Sequence, residues 1–129
     1  MEIREFDTEK VGEVMVIHVY LNRATLAKAV KFKELVSDQI SFGINKFIVD
    51  LSICEYIDST FLGAMVSLLK KVNSMNGDLR LVYNKEMPSL VFVLTRMDKV
   101  FKVFNQLDEA LASFNASSTE KPKPPLQWK

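Results

Sequence analysis

The spacing of apolar residues changes several times along the chain, and each change marks an element. VMVIHVYL, from Val14 to Leu21, is nearly continuous and rich in β-branched residues, as expected of a buried strand. Gly12 precedes it as a turn, so Ile3 to Phe6 reads as a short edge strand pairing with it in a hairpin. From Leu26 the period becomes helical, with Leu26, Ala29, Val30, Val36 and Ile40 on one stripe, Asn22 or Thr25 available as cap and Gly43 as stop. KFIVDL, Lys46 to Leu51, is again a short apolar strand. Leu62, Met65, Val66, Leu69 and Val72 then share a helical face that ends at Asn76-Gly77. Leu79 to Tyr83 forms another strand, and Pro88 suits the first turn of a helix carrying Leu90, Val91, Leu94 and Met97. Val100 to Phe104 alternates as a strand, and Asn105 can cap a last helix reaching about Phe114.

Strands alternating with helices predict an α/β fold, a mixed central sheet of about five strands with about four helices packed on it through right-handed crossovers. Residues 1–114 are expected to form one domain. Residues 115–129, NASSTEKPKPPLQWK, cannot bury enough area to offset their ordering entropy and are expected to be a flexible tail, with Trp128 an idle end.

Composition narrows the function. Apolar residues make up 48% of the chain, enough for a real core. Lys plus Arg number 17 against 16 for Asp plus Glu, which leaves no cationic excess to neutralise nucleic acid or coat an anionic membrane. No apolar run approaches the ~20 residues that span a bilayer, and MEIREFDTEK lacks the pattern of a secretory signal. Cys54 is the single cysteine, so neither an internal disulfide nor a cysteine metal cage is available, and a cytoplasmic location is expected.

The chemistry concentrates in Phe47 to Lys71, FIVDLSICEYIDSTFLGAMVSLLKK, where a buried strand ends, a polar loop crosses its carboxyl edge and a helix begins at Asp58-Ser59-Thr60. Function in open α/β sheets tends to sit at that edge. Each of these three residues can cap the helix. The same position also sets a hydroxyl beside free N–H donors and the positive end of a helix dipole, which tolerates a phosphate, and one serine can serve both roles.

VDLS at Val49 to Ser52, IDSTFLG at Ile57 to Gly63, the apolar helix that follows, and RMDKVFKVF at Arg96 to Phe104 together resemble the sulfate-transporter and anti-sigma-factor-antagonist (STAS) domain, specifically the small bacterial anti-anti-sigma factors. The predicted order of elements agrees from about Ile3 to Phe114. The resemblance implies a cytoplasmic, non-enzymatic protein without cofactor or metal. Unphosphorylated, it would bind an anti-sigma serine kinase of histidine-kinase-like ATPase fold and so free a sigma factor. Phosphorylation of Ser59 would release it, with a serine phosphatase as a further candidate partner. The implied partner surface comprises Asn22, Arg23, Thr25, Asp58, Thr60, Phe61 and Gly63. Phe61 stands where the family usually carries glycine and, if exposed, is the apolar anchor. YLNR at Tyr20 to Arg23 replaces the family's usual glycine and aspartate at the other corner.

Other readings fit less well. Ser59 as a hydrolase nucleophile needs a base, yet His18, the only histidine, falls inside a predicted buried strand, and there is no G-x-S-x-G elbow. Cys54 has no arginine after it in its loop and reads as apolar filler. Asp50 and Asp58 lack the further acidic pair of a metal-binding receiver, so Asp50 reads as a strand end. Phe32 and Leu35 lie off the Leu26 and Val30 stripe, on a partner patch or under a neighbouring loop. The same domain serving another regulatory complex, or handling a small ligand or lipid, is the remaining alternative.

Overall fold

The protein is described by a computed structural model that covers residues 4–86 and 88–116. β1 (Phe6–Val11) and β2 (Val14–Val19) form an antiparallel hairpin, with Gly12 at φ +61° in the tight connection. The first strand thus lies later than the expected Ile3 to Phe6, and Ile3 is outside the described residues. FDTEKV is largely exposed, an edge strand held by its ladder to β2, so it offers no apolar run to read.

The chain continues through β3 (Arg23–Ala24), α1 (Leu26–Ser41), β4 (Lys46–Asp50), β5 (Tyr56–Ile57), α2 (Ser59–Asn73), β6 (Asp78–Val82), α3 (Leu90–Thr95), a 3-10 turn (Met97–Lys99), β7 (Val103–Phe104) and α4 (Leu107–Ala116). Five strands share one sheet in the order β1-β2-β4-β6-β7, parallel except for the β1 pair. Parallel neighbours require crossovers, and α1, α2 and α3 supply them. The mixed α/β fold is therefore as expected.

Strand alternation divides the core between two faces. Met15, Ile17, Val19, Phe47, Val49, Leu51, Leu79 and Leu81 pack with α1 and α2, whereas Val14, Val16, Ile48 and Val82 pack with Ala110 and Phe114 of α4. In α2 the expected Leu62, Met65, Leu69 and Val72 are buried, joined by Phe61 and Leu68, while Val66 is only partly covered. α1 is rotated from the expected stripe. It buries Ala29, Phe32, Val36 and Ile40, and leaves Leu26 and Val30 61% and 64% exposed. Phe32 therefore belongs to neither a partner patch nor a loop contact; its ring lies 4.7 Å from that of Phe61, and Leu35 packs on the same core.

α3 is shorter than the spacing implied. Arg96 at φ +56° ends it, Phe92 is its buried residue, and Leu90 and Leu94 point outward. The strand expected from Val100 is reduced to Val103–Phe104. α4 starts at Leu107, so Asn105 lies one residue before the cap position, and its side-chain oxygen accepts the Lys85 N–H at 2.9 Å. α4 runs two residues beyond Phe114, and residues 117–129, including Trp128, lie outside the described residues. Among the described residues no helix is long and apolar enough to cross a membrane.

Candidate functional site

β4 ends at Asp50, and the chain then crosses the carboxyl edge of the sheet to reach α2. There the two-residue strands β3 and β5 pair in parallel, Arg23 opposite Tyr56 and Ala24 opposite Ile57. The Asn22 carbonyl accepts the N–H groups of Glu55 and Tyr56 at 2.9 and 3.0 Å, and Asp58 N–H donates to the Ala24 carbonyl at 3.0 Å. This lacing brings the corner holding Asn22, Arg23 and Thr25 against the start of α2. Strands this short leave no periodic signal in the sequence.

Asp58 joins the two corners through its side chain. One carboxylate oxygen accepts Phe61 N–H at 2.8 Å as the α2 N-cap, and the other accepts Leu26 N–H at 2.7 Å at the start of α1. Thr25 occupies the N-cap position of α1 but makes no side-chain cap bond, so Asp58 supplies what it does not. The capping role open to Asp58, Ser59 and Thr60 is thereby filled by Asp58. Ser59, the first residue of α2, is exposed, and its hydroxyl makes no hydrogen bond among the described residues. A free hydroxyl at the N-terminus of a 15-residue helix sits beside unsatisfied N–H groups and the positive end of the dipole.

Thr60 and Gly63 are exposed on the same helix, and a Cβ at Gly63 would meet nothing within 4 Å. Arg23 lies 4.2 Å over the ring centroid of Tyr56, a cation–π contact on the exposed flank. Phe61, expected as an exposed apolar anchor, is instead fully buried. Two helical residues rotate the side chain by about 200°, so Phe61 enters the core as Ser59 faces out. Exposed apolar groups at this edge include Leu26, whose own N–H binds Asp58, then Val30 one turn along, Ile53 in the loop after β4, and Tyr56 in β5. The sequence held a signal for the first two: the i, i+4 pair Leu26 and Val30 forms a line separate from Ala29, Phe32, Val36 and Ile40.

The STAS domain family matches this chain over residues 5–110. The chain belongs to the STAS domain family. It is 35% identical over 103 residues to a Thermotoga neapolitana protein named as a proposed anti-sigma factor antagonist, covering 79% of this chain and 91% of that one. The crystal structure of a proposed anti-sigma factor antagonist from Thermotoga maritima matches at a TM-score of 0.75 and 31% identity, over 85% of this chain and 94% of that one. The phosphorylated form of the Bacillus cell fate determinant SpoIIAA shares the fold at a TM-score of 0.65 and 18% identity, over 84% of this chain and 98% of that one.

In this STAS domain His18 faces carboxylates with both ring nitrogens. Nδ1 lies 3.1 Å from Asp50 and Nε2 lies 3.2 Å from Glu9, and the ring stacks on Tyr20 at 6.0 Å. The other oxygen of Asp50 accepts Ser52 N–H at 3.0 Å, which closes the end of β4 as expected. Burial pushes the Cys54 thiol up from its ordinary pKa, and its sulfur faces the carbonyls of Asn22 and Tyr56. A protonated, half-buried thiol is a packing group rather than a nucleophile. Among the described residues no cluster of three or more His, Cys, Asp or Glu side chains is arranged to hold a metal ion.

Proposed function

We propose that this STAS domain is a cytoplasmic anti-sigma factor antagonist whose partner binding is switched off by phosphorylation of Ser59. The observation that carries this reading is the division of labour between neighbours: Asp58 caps α2, which leaves the Ser59 hydroxyl exposed and without a hydrogen bond among the described residues. The named role of the Thermotoga relatives supports it. The partner is an anti-sigma serine kinase of histidine-kinase-like ATPase fold, which binds the bare domain and transfers the γ-phosphoryl group of ATP to Ser59 Oγ. A serine phosphatase hydrolyses the phosphoserine with water, releasing inorganic phosphate and restoring the hydroxyl. The domain acts here by binding and not as an enzyme, since the only histidine, His18, directs both ring nitrogens at carboxylates.

The surface that meets the kinase comprises Asn22, Arg23, Thr25, Asp58, Thr60 and Gly63 around Ser59. Leu26 and Tyr56 supply the apolar contact first assigned to Phe61. A phosphate adds about −1.5 to −2 charges at pH 7. In the complex it would have to be desolvated beside Asp58, whose two oxygens already accept N–H groups from α1 and α2. The test treats the protein with its cognate kinase and ATP, locates the phosphate by mass spectrometry and measures kinase binding by calorimetry. Phosphate on Ser59, with binding retained by bare protein and Ser59→Ala but lost after phosphorylation, is expected. Phosphate on Thr60 or Ser52, or equal binding by the bare and phosphorylated forms, overturns the reading.

A further inference from the structure

At the carboxyl end of β6, under α3, a cavity of about 310 Å³ opens. That volume lies at the lower end of the ~300–1,000 Å³ typical of small-molecule sites, and the carboxyl ends of strands are where such sites form in open α/β sheets. One wall is aromatic: Tyr83 and Phe92 stack with ring centroids 4.6 Å apart and planes inclined by 12°, flanked by Val93 and Val103. Tyr83 and Phe92 are largely buried, 7% and 3% exposed, so the apolar surface open to a ligand here includes Val93, 55% exposed.

The rim is charged. Lys85, Arg96 and Asp98 line the cavity and are exposed, and none of them forms an ion pair among the described residues. Arg96 holds φ +56° and ψ +41°, a conformation that residues other than glycine adopt sparingly and that concentrates at functional sites. The Tyr83 hydroxyl makes no hydrogen bond among the described residues. Burial, and secondarily the charge of Asp98, raise its pKa, so it remains an O–H donor at neutral pH. Aromatic side chains and two cations therefore line one space.

We propose that this cavity binds a small aromatic monocarboxylate, its ring against Tyr83 and Phe92 and its carboxylate held by Lys85 and Arg96. The negative charge of Asp98 at the same rim disfavours a second carboxylate. The site is separate from Ser59 and does not depend on the switch reading. Amide NMR on the full chain tests it with hydrocinnamate as probe and hydrocinnamyl alcohol as the neutral match. The expected result is saturable shifts centred on Tyr83, Lys85, Phe92 and Arg96, with the alcohol weaker by about tenfold or more, because charge-assisted hydrogen bonds are lost. Lys85→Gln and Arg96→Gly should each weaken hydrocinnamate to a similar degree. Glycine keeps the positive φ, and if Arg96→Gly fails to fold, Lys85→Gln decides alone. The proposal is overturned by no saturable shift below about 10 mM, by equal affinity for acid and alcohol, by shifts centred elsewhere, or by unchanged affinity in the variants that fold.

Discussion

Asp58 and Ser59 are adjacent and of residue types equally suited to a helix start, yet Asp58 is partly buried and Ser59 exposed, and their side chains do different work. Asp58 satisfies orphan N–H groups on two helices, whereas Ser59 satisfies none among the described residues. Loss of a single N-cap typically costs about 0.5–2 kcal/mol. Asp58→Ala, which removes both bonds, should therefore lower the denaturation midpoint clearly, with Asp58→Asn in between because one acceptor oxygen remains. Ser59→Ala should leave the midpoint within error. A Ser59→Ala loss as large as that of Asp58→Ala would show that the serine is the true cap. A second pair separates core from surface. Phe61→Ala should cost about 3–5 kcal/mol in chemical denaturation, since it empties a fully buried site against Phe32. Leu26→Ala, at an exposed position, should stay within about 0.5 kcal/mol. In calorimetry it should weaken the kinase complex, and unchanged affinity would remove Leu26 from the surface.

Of the four glycines, Gly77, at the corner between α2 and β6, is the one with no room for a Cβ. Asn76 takes φ +61°, and a Cβ added at Gly77 would sit 1.8 Å from the Asn45 carbonyl oxygen, whose residue also accepts Asp78 N–H at 3.0 Å. A backbone oxygen cannot move aside as a flexible side chain can. Gly77→Ala should therefore destabilise the domain by more than the ~1 kcal/mol of an average substitution, and a variant that melts with the parent would show that the corner can open. Asn76-Gly77 was legible as a helix end because its residue types suit that conformation. The buried strand KFIVDL and the face of α2 were legible for a related reason: burial imposes a period on the sequence. β1 was misplaced because FDTEKV is held by hydrogen bonds and buries little. β3 and β5, two residues each, carry no period, so the lacing that assembles the site was invisible: Asn22, Arg23 and Asp58 stand out in the sequence, whereas their partners Ala24 and Tyr56 do not. α1 has apolar residues on two sides, and the sequence alone did not say which side the sheet would cover.

Taken whole, the molecule places its smaller core and its candidate switch on different parts of the sheet. On the α4 side Arg80 is buried, bonded to Asp78 at 3.0 Å and to the Ser113 hydroxyl at 2.7 Å, with its guanidinium 3.9 Å over the Phe114 ring. Ser59 stands at the carboxyl edge, and the Phe61 beside it packs into the core on the α1 and α2 side. Stability and partner binding should then respond to different changes. Phe114→Ala removes a buried ring and its cation–π contact, at about 3–5 kcal/mol against a total of ~5–15 for a domain of this kind. The melting temperature should fall by about 10 °C or more. Measured well below that temperature, affinity for the kinase should stay within about threefold, since the edge residues keep their positions and a threefold change is under 1 kcal/mol. Phosphate on Ser59 should do the reverse. The dipole and free N–H groups offset part of its cost in the free domain, typically by ~0.3–1 kcal/mol, so melting should move little. The complex should lose affinity by a factor of a hundred or more, because two uncompensated interactions of about 1.4 kcal/mol each suffice. Thermal melting and calorimetry on both proteins distinguish these outcomes. If Phe114→Ala weakened the complex as strongly as the phosphate does, α4 and the switch would be coupled through the sheet, and the separation argued from the two cores would be wrong.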